Sequence, residues 1–337
     1  MPRDATPDFV LRPANIVELA ASLARSSAER RTIASFNLAT LNRLLEHKPE
    51  DMTATAEAGL TLAEMQKQLA LRGQWLPIDP PHPESLTVGA LLAANASGPR
   101  RFGYGTIRDY VIGLKVVLAD GRLVSCGGKV VKNVAGYDLA RLFIGSRGSL
   151  GVIVEATFKL RPLPETERFV QAQCESLDQA GQLLDAVLNS DVAPVVLDLY
   201  QSGGTLSPKG PLLDQSARAK SDTRPISLVA GFAGTTQDVD WQLEYAATLG
   251  LNQPAMLDYE REFWDDVTSA VQRISVLPSK LIENLHGISL PFIARAGNGI
   301  VYHRGAPVQE PDELPVQLCL RLKQAWDPQN VLPALPL

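Results

Sequence analysis

The chain has 337 residues, 45% hydrophobic and 20% charged, with a net charge of −5 and a pI near 5.5. This is globular composition, long enough for a large core and two domains, and nothing in it favours nucleic acid or an anionic membrane as a partner. Cys126, Cys174 and Cys319 lie far apart without CxxC spacing, so a cytoplasmic protein with reduced thiols and no metal site of its own is expected.

Residues 1–15 lack the apolar core of a signal peptide, and no run of about 18 apolar residues predicts a membrane span. In residues 13–26 the helical spacing of Ile16, Leu19, Ala20 and Leu23 predicts a helix. Residues 32–36 read as a short strand, and 44–48 and 52–58 as two strands around Pro49-Glu50-Asp51. Residues 61–71 form a helix with Thr61 and Glu64 as a capping box and Gly73 as its stop. LPIDPPHPES, rich in proline, is an ordered loop.

From Thr87 to Pro164 glycine is dense. Thr87 caps a short helix over 88–95, residues 111–118 are strand-like, and Asp120-Gly121 turns the chain into a strand over 123–126. A helix over 137–144, with Asp138 as cap, and a strand over 151–160 follow. Such glycines mark positive φ or close approach to backbone or ligand, and a turn-rich sheet core without a ligand accounts for them as well. Nucleotide motifs of other classes are absent. Gly103-Tyr104-Gly105 lacks the third glycine of a dinucleotide fingerprint, and the glycines at 145, 148 and 151 lead into a strand where a helix is required.

Beyond Pro164 the pattern is strand 168–174, helix 177–189, strand 195–200, a polar excursion over 201–225, strand 226–232, and helices 236–249 and 259–271. Residues 274–303 hold further strands, and 316–325 is an amphipathic helix returning to the first domain. A β-α-β unit followed by a β-α unit suggests a small α+β domain of ferredoxin-like type. The expected boundaries are 1–164, 165–310 and a C-terminal helix within 311–337.

The blocks TVGALLAANASGPRRFGYGTIRDYVIGLKVVLADG, GGKVVKNVAGYDLARLFIGSRGSLGVIVEATFKLRPLP and LKQAWDPQNVLP carry a resemblance. Residues 38–164 resemble the flavin-binding domain of the vanillyl-alcohol-oxidase/PCMH class, and within it the FAD-binding subunits of glycolate oxidases. The fold implied is α+β: a PCMH-type FAD domain of two α/β subdomains, then the ferredoxin-like cap. The cofactor implied is non-covalent FAD. The implied contacts run from Gly89, Asn95, Ser97 and Gly98 through Tyr104, Gly105, Arg108 and Asp109. Lys132 and Asn133 would stand towards the flavin ring, with Gly136, Tyr137 and Asp138 packing the turn, and Gly145, Ser146, Gly148, Gly151 and Ile153 would line the adenosine end. The implied partners are a catalytic flavoprotein subunit, an iron–sulfur subunit and a small 2-hydroxy acid.

One departure stands out. The class carries an N-terminal glycine-rich loop whose amides cradle the pyrophosphate, whereas RRTIASFNLATLNRL contains no glycine and is shortened. Charge-assisted hydrogen bonds are worth about 1.5–3 kcal/mol each, so their loss weakens FAD binding by orders of magnitude. A flavin-free structural subunit on the same fold is therefore the alternative expectation. No catalytic residue is assigned. His47, His82, His286 and His303 are dispersed, His82 borders the expected flavin pocket, and His303-Arg304 reads as a solvent-exposed loop pair.

Overall fold

The computed structural model describes residues 9–128, 139–202, 225–267, 269–305 and 313–335. Two compact units emerge, one of residues 1–98, 105–163 and 311–337, the other of 99–104 and 164–310.

The first unit opens with strand β1 (Val10–Leu11) and helix α1 (Ile16–Glu29). Asn15 caps α1: its side-chain oxygen accepts the Glu18 N–H at 2.9 Å, and Arg30 at φ +53° ends the helix. Strand β2 (Ser35–Phe36) pairs in parallel with β1. The hairpin β3 (Leu44–Lys48) and β4 (Thr53–Glu57) follows. Helix α2 (Leu62–Ala70) is capped by the Thr61 hydroxyl, which accepts the Glu64 N–H. The box is one-armed, because the Glu64 carboxylate takes the Gln68 amide instead. After β5 (Gln74–Trp75), helix α3 (Val88–Ala94) starts at its Thr87 cap and stops at Asn95, φ +48°. Helix α4 (Arg101–Tyr104) belongs to the second unit. Strands β6 (Val111–Val117) and β7 (Leu123–Gly127), helix α5 (Ala140–Phe143), strand β8 (Val152–Lys159) and β9 (Arg161–Pro162) complete this stretch.

The five-stranded antiparallel sheet has the order β3-β4-β8-β6-β7. Ala54, Ala56, Leu114, Ala156 and Phe158 turn to one face, against Met65 and Leu69 of α2 and Val88, Leu91 and Leu92 of α3. A register shift beside Val116, which faces Ile153 while Lys115 faces Glu155, inserts one extra residue into β8. Ile153 and Ala156 therefore join this core, while Val152 and Val154 join Leu19 and Leu23 of α1 in another. Each fully buried Leu of that amphipathic face contributes about 1.5–3 kcal/mol.

The second unit runs β10 (Thr166–Cys174), α6 (Leu177–Leu188), β11 (Val196–Gln201), β12 (Ile226–Gly234), α7 (Thr236–Thr248), β13 (Gln253–Pro254) and α8 (Asp258–Asp265). It ends with β14 (Val271–Ser275), α9 (Leu281–Leu285), β15 (Phe292–Arg295) and β16 (Ile300–Arg304). The sheet order is β13-β10-β12-β11-β15-β16-β14. Its first four strands have the ferredoxin-like arrangement. The sheet then continues through three more antiparallel strands, so this unit is larger than the small cap expected. The helix expected over 259–271 stops at Asp265, and Val271 already pairs with Arg304. His303 lies in β16 and is fully buried, not on an exposed loop.

Helix α10 (Glu313–Trp326) belongs to the first unit. Its buried Lys323 donates to Asp327 Oδ2 at 2.7 Å and to the carbonyls of Ser149, Leu332 and Pro333 at 2.9, 3.0 and 3.0 Å. The tail beyond it closes on the start of the unit: the Ile33 N–H donates to Val331 O at 2.7 Å and the Thr32 hydroxyl to Asn330 O at 3.0 Å.

Candidate functional site

Four of the residues singled out in the sequence come together around one cavity of about 230 Å³ in the first unit. Gly89, Gly148, Gly151 and Ile153 line it, with Ser35 and Phe36 of β2, Thr87 and Ala90 at the start of α3, Arg147, and Pro333 of the tail. A second, larger cavity of about 440 Å³ lies over the polar face of the sheet, around Thr55, Lys115, Glu155 and Thr157. None of the sequence-predicted residues lines it, and Lys115 and Glu155 are paired across it at 2.8 Å.

The glycines of the smaller cavity differ in what they do. Gly148 has φ +79°, and a Cβ built there would meet nothing within 4 Å. Its backbone is therefore an open cradle on the cavity wall, the arrangement that lets a ligand approach main chain. Gly89 faces protein: a Cβ would stand 2.9 Å from Ala58 Cβ, and its N–H donates to Ala58 O at 2.7 Å. Packing of α3 onto the end of β4 accounts for glycine at that position. Gly98 is pressed against the Asp79 backbone and Gly151 against Val116 in the same way.

The remaining predicted residues flank the cavity or serve local structure. Gly145 N–H donates to Leu92 O and Arg147 N–H to Ala93 O, so the 145–148 loop hangs on the C-terminal end of α3. The Ser146 hydroxyl donates to Phe143 O at 2.8 Å. Asn95 ends α3, and its Oδ1 is buried without a hydrogen-bond partner. Ser97 is buried. Arg108 Nη2 donates to Ile144 O at 3.3 Å. Asp109 Oδ2 accepts the N–H and hydroxyl of Thr106 at 2.8 and 2.9 Å, and a Cβ on Gly105 would stand 2.8 Å from that oxygen. Burial opposes ionisation of Asp109, but the Thr106 hydrogen bonds outweigh it and hold the carboxyl below its ordinary value. Tyr104 closes α4 in the second unit. Lys132, Asn133, Gly136, Tyr137 and Asp138 lie outside the described residues.

The cavity fits part of a dinucleotide. Small-molecule sites run to roughly 300–1,000 Å³, and this one is smaller. Its wall offers a glycine cradle, the Ser35 and Thr87 hydroxyls and apolar surface for a planar base. One part of the wall is the glycine-free stretch Ala34, Ser35, Phe36 and Leu38.

The second unit holds a sealed polar cluster that the sequence did not signal. Arg295 Nη1 donates to Asp198 Oδ2 and Glu260 Oε1, both at 2.5 Å, and Nη2 to Glu260 Oε2 at 2.9 Å. Tyr259 donates to Asp198 Oδ2 at 2.8 Å and stacks on Tyr200, with ring centres 4.3 Å apart. Burial pushes the Asp198 carboxyl up to about 6 against the pull of Arg295. Every donor of the guanidinium named here points at a carboxylate of the chain, so this is a structural hub. Among the described residues no group of His, Cys, Asp and Glu is arranged to hold a metal. No described helix is long and apolar enough to cross a membrane.

Residues 20–127 match the family model described as FAD binding domain. Among curated proteins, the chain is 41% identical over 158 residues to glycolate oxidase subunit GlcD of Bacillus subtilis, covering 47% of this chain and 34% of that protein. It is 41% identical over 122 residues to glycolate oxidase subunit GlcE of Escherichia coli, covering 36% of this chain and 35% of that protein. It is 44% identical over 120 residues to D-lactate dehydrogenase of Archaeoglobus fulgidus, covering 35% and 26%. These matches span about a third or less of each relative's length. Among solved structures, alkyldihydroxyacetonephosphate synthase superposes with a TM-score of 0.68 at 18% identity, covering 96% of this chain and 76% of that one. At that identity the likeness speaks for the fold alone.

Proposed function

We propose, from the match of residues 20–127 to the FAD binding domain model, that this chain is the flavin-carrying subunit of a 2-hydroxy-acid oxidoreductase of glycolate-oxidase type. The observation that carries this reading is the cavity of the first unit where the Gly148 cradle stands open. The chemistry that FAD supplies when bound is acceptance of two electrons from the hydroxyl-bearing carbon of the acid. The chain's own part is to hold and orient the cofactor. Gly148 admits it to main chain, Ile153 and Gly151 form the floor, and Ser35 and Thr87 offer hydroxyls to its polar rim. The electrons then pass to partners of this reading, a catalytic flavoprotein subunit and an iron–sulfur subunit, in the cytoplasm.

The small cavity and the glycine-free wall at Ala34–Leu38 favour a second reading, a structural subunit that keeps the fold and holds no flavin. The visible absorption spectrum of the purified chain, before and after loading with FAD and desalting, separates the two. Retained flavin bands support the first. Ala90→Trp, on the exposed surface of α3 at the cavity, should then abolish retention while the thermal melt stays unchanged. A folded wild-type chain that stays colourless supports the second.

A further inference from the structure

We propose that Arg147 is the anion-holding residue of the cavity, engaging the FAD diphosphate in place of amides that the glycine-free 30–44 segment does not supply. This assignment rests on the FAD reading above. Of the residues that line the cavity, Arg147 is the one that carries charge. A diphosphate against the remaining apolar and hydroxyl wall would lose hydration without gaining a counter-charge, and such burial is strongly unfavourable. A guanidinium meets it with two parallel hydrogen bonds from one fork.

The neighbouring cation is not free for that task. Lys323, whose ammonium bonds Ser149 O beside the same loop, is buried and already surrounded by four oxygens. Arg147 is exposed, and among the described residues no carboxylate or carbonyl engages its guanidinium. Its backbone is fixed. The N–H donates to Ala93 O at 2.9 Å, and φ is +50°. A long side chain in the left-handed region is sparsely populated and strained, and such strain concentrates at ligand clamps. Here it sets the arginine next to the open cradle of Gly148. In the sequence the signal is an arginine set among the glycines of GSRGSLG.

The test titrates the full-length chain with FAD, ADP and riboflavin, following binding by flavin fluorescence or calorimetry, for wild type, Arg147→Gln and Arg147→Lys. Losing one charge-assisted contact predicts roughly a 10- to 100-fold rise in Kd for FAD and ADP in R147Q. Riboflavin, which has no phosphate, should bind R147Q as it binds wild type, and R147K should recover part of the loss. Wild-type FAD affinity should also fall with rising salt, and that of R147Q less so. Equal FAD affinity in wild type and R147Q overturns the assignment and leaves the cofactor reading standing. An equal loss of riboflavin also overturns it, because the effect then lies in the shape of the cavity. A wild type that binds none of the three overturns the cofactor reading and this assignment together.

Discussion

Replacing Arg295 by methionine should destabilise the second unit strongly at neutral pH and less in mild acid. In the native chain one guanidinium faces two carboxylates, and the side chains of Arg295, Asp198 and Glu260 are 2%, 1% and 12% exposed. Without it, the donors left to the two acids are Tyr259 to Asp198 and Trp264 Nε1 to Glu260. The least unfavourable outcome for Asp198 is that it enters the fold protonated. It already titrates near 6, so neutralising it at pH 7 costs about 1.4 kcal/mol more. Glu260, left with the Trp264 N–H, adds the penalty of a buried acid that has lost its counter-charge. The loss at pH 7 should therefore fall in the ~3–5 kcal/mol typical of a broken buried pair. At pH 5 Asp198 is mostly neutral, and the loss should be smaller by about its 1.4 kcal/mol. Urea unfolding followed by circular dichroism and tryptophan fluorescence at pH 5 and 7 measures both values. A loss under 1 kcal/mol at pH 7, or the same loss at both pH values, refutes the reasoning. Asp198→Asn should change stability at pH 7 far less than Arg295→Met, since it removes the acid that burial penalises.

Three further outcomes are expected. Gly148→Ala should lower flavin affinity and cost about 1 kcal/mol of stability through its positive φ, while Gly89→Ala should destabilise by about 1–3 kcal/mol through overlap with Ala58; paired urea and flavin titrations would expose the reverse pattern. His303 is fully buried with neither ring nitrogen hydrogen-bonded, and burial lowers its pKa from the ordinary 6.5. The unfolded chain then binds a proton that the native chain refuses. Its contribution is complete above about pH 6.5 and is lost as pH falls towards the native value. Asp198 has the opposite sign, its contribution fading as pH rises from about 3.8 to about 6. His303→Phe should flatten the acid side of the stability profile, and a profile identical to wild type would count against this account. Lys323→Met leaves the Asp327 carboxylate buried with only the Val331 and Leu332 N–H groups, at 2.9 and 2.8 Å. A loss of about 3 kcal/mol should lower the melting temperature by roughly 6–12 °C.

Where local chemistry decides the outcome, the sequence was readable. Thr87 and Asn95 bracket α3, and Asp120-Gly121 turns β6 into β7, because a hydroxyl cap, a left-handed stop and a tight turn act within a few residues. The likeness to the FAD binding domain model, matched over residues 20–127, was readable from the glycine-dense block that starts at Thr87. Features that depend on a distant partner were not. The extra residue in β8 shows only once β6 lies beside it. The tightness of Gly89 needs Ala58 in place. His303 seemed loop-like beside Arg304 and Gly305, yet strand alternation turns it inward with Val301. The Asp198–Glu260–Arg295 hub joins residues up to 97 apart in the chain, and no spacing announces it.

The closure of the tail on Thr32 and Ile33 bears on how the protein is made. The Thr32–Asn330 contact joins residues 298 positions apart. At about 5–20 residues per second, roughly 15–60 s of translation separate its two ends. Through that interval the first unit lacks Lys323 under Ser149 and Pro333 at the cavity, whereas residues 164–310 are complete before α10 emerges. On the ribosome, the segment synthesised in the middle is therefore able to fold before the one that begins the chain. The cavity beside Gly148 is among the last features to form.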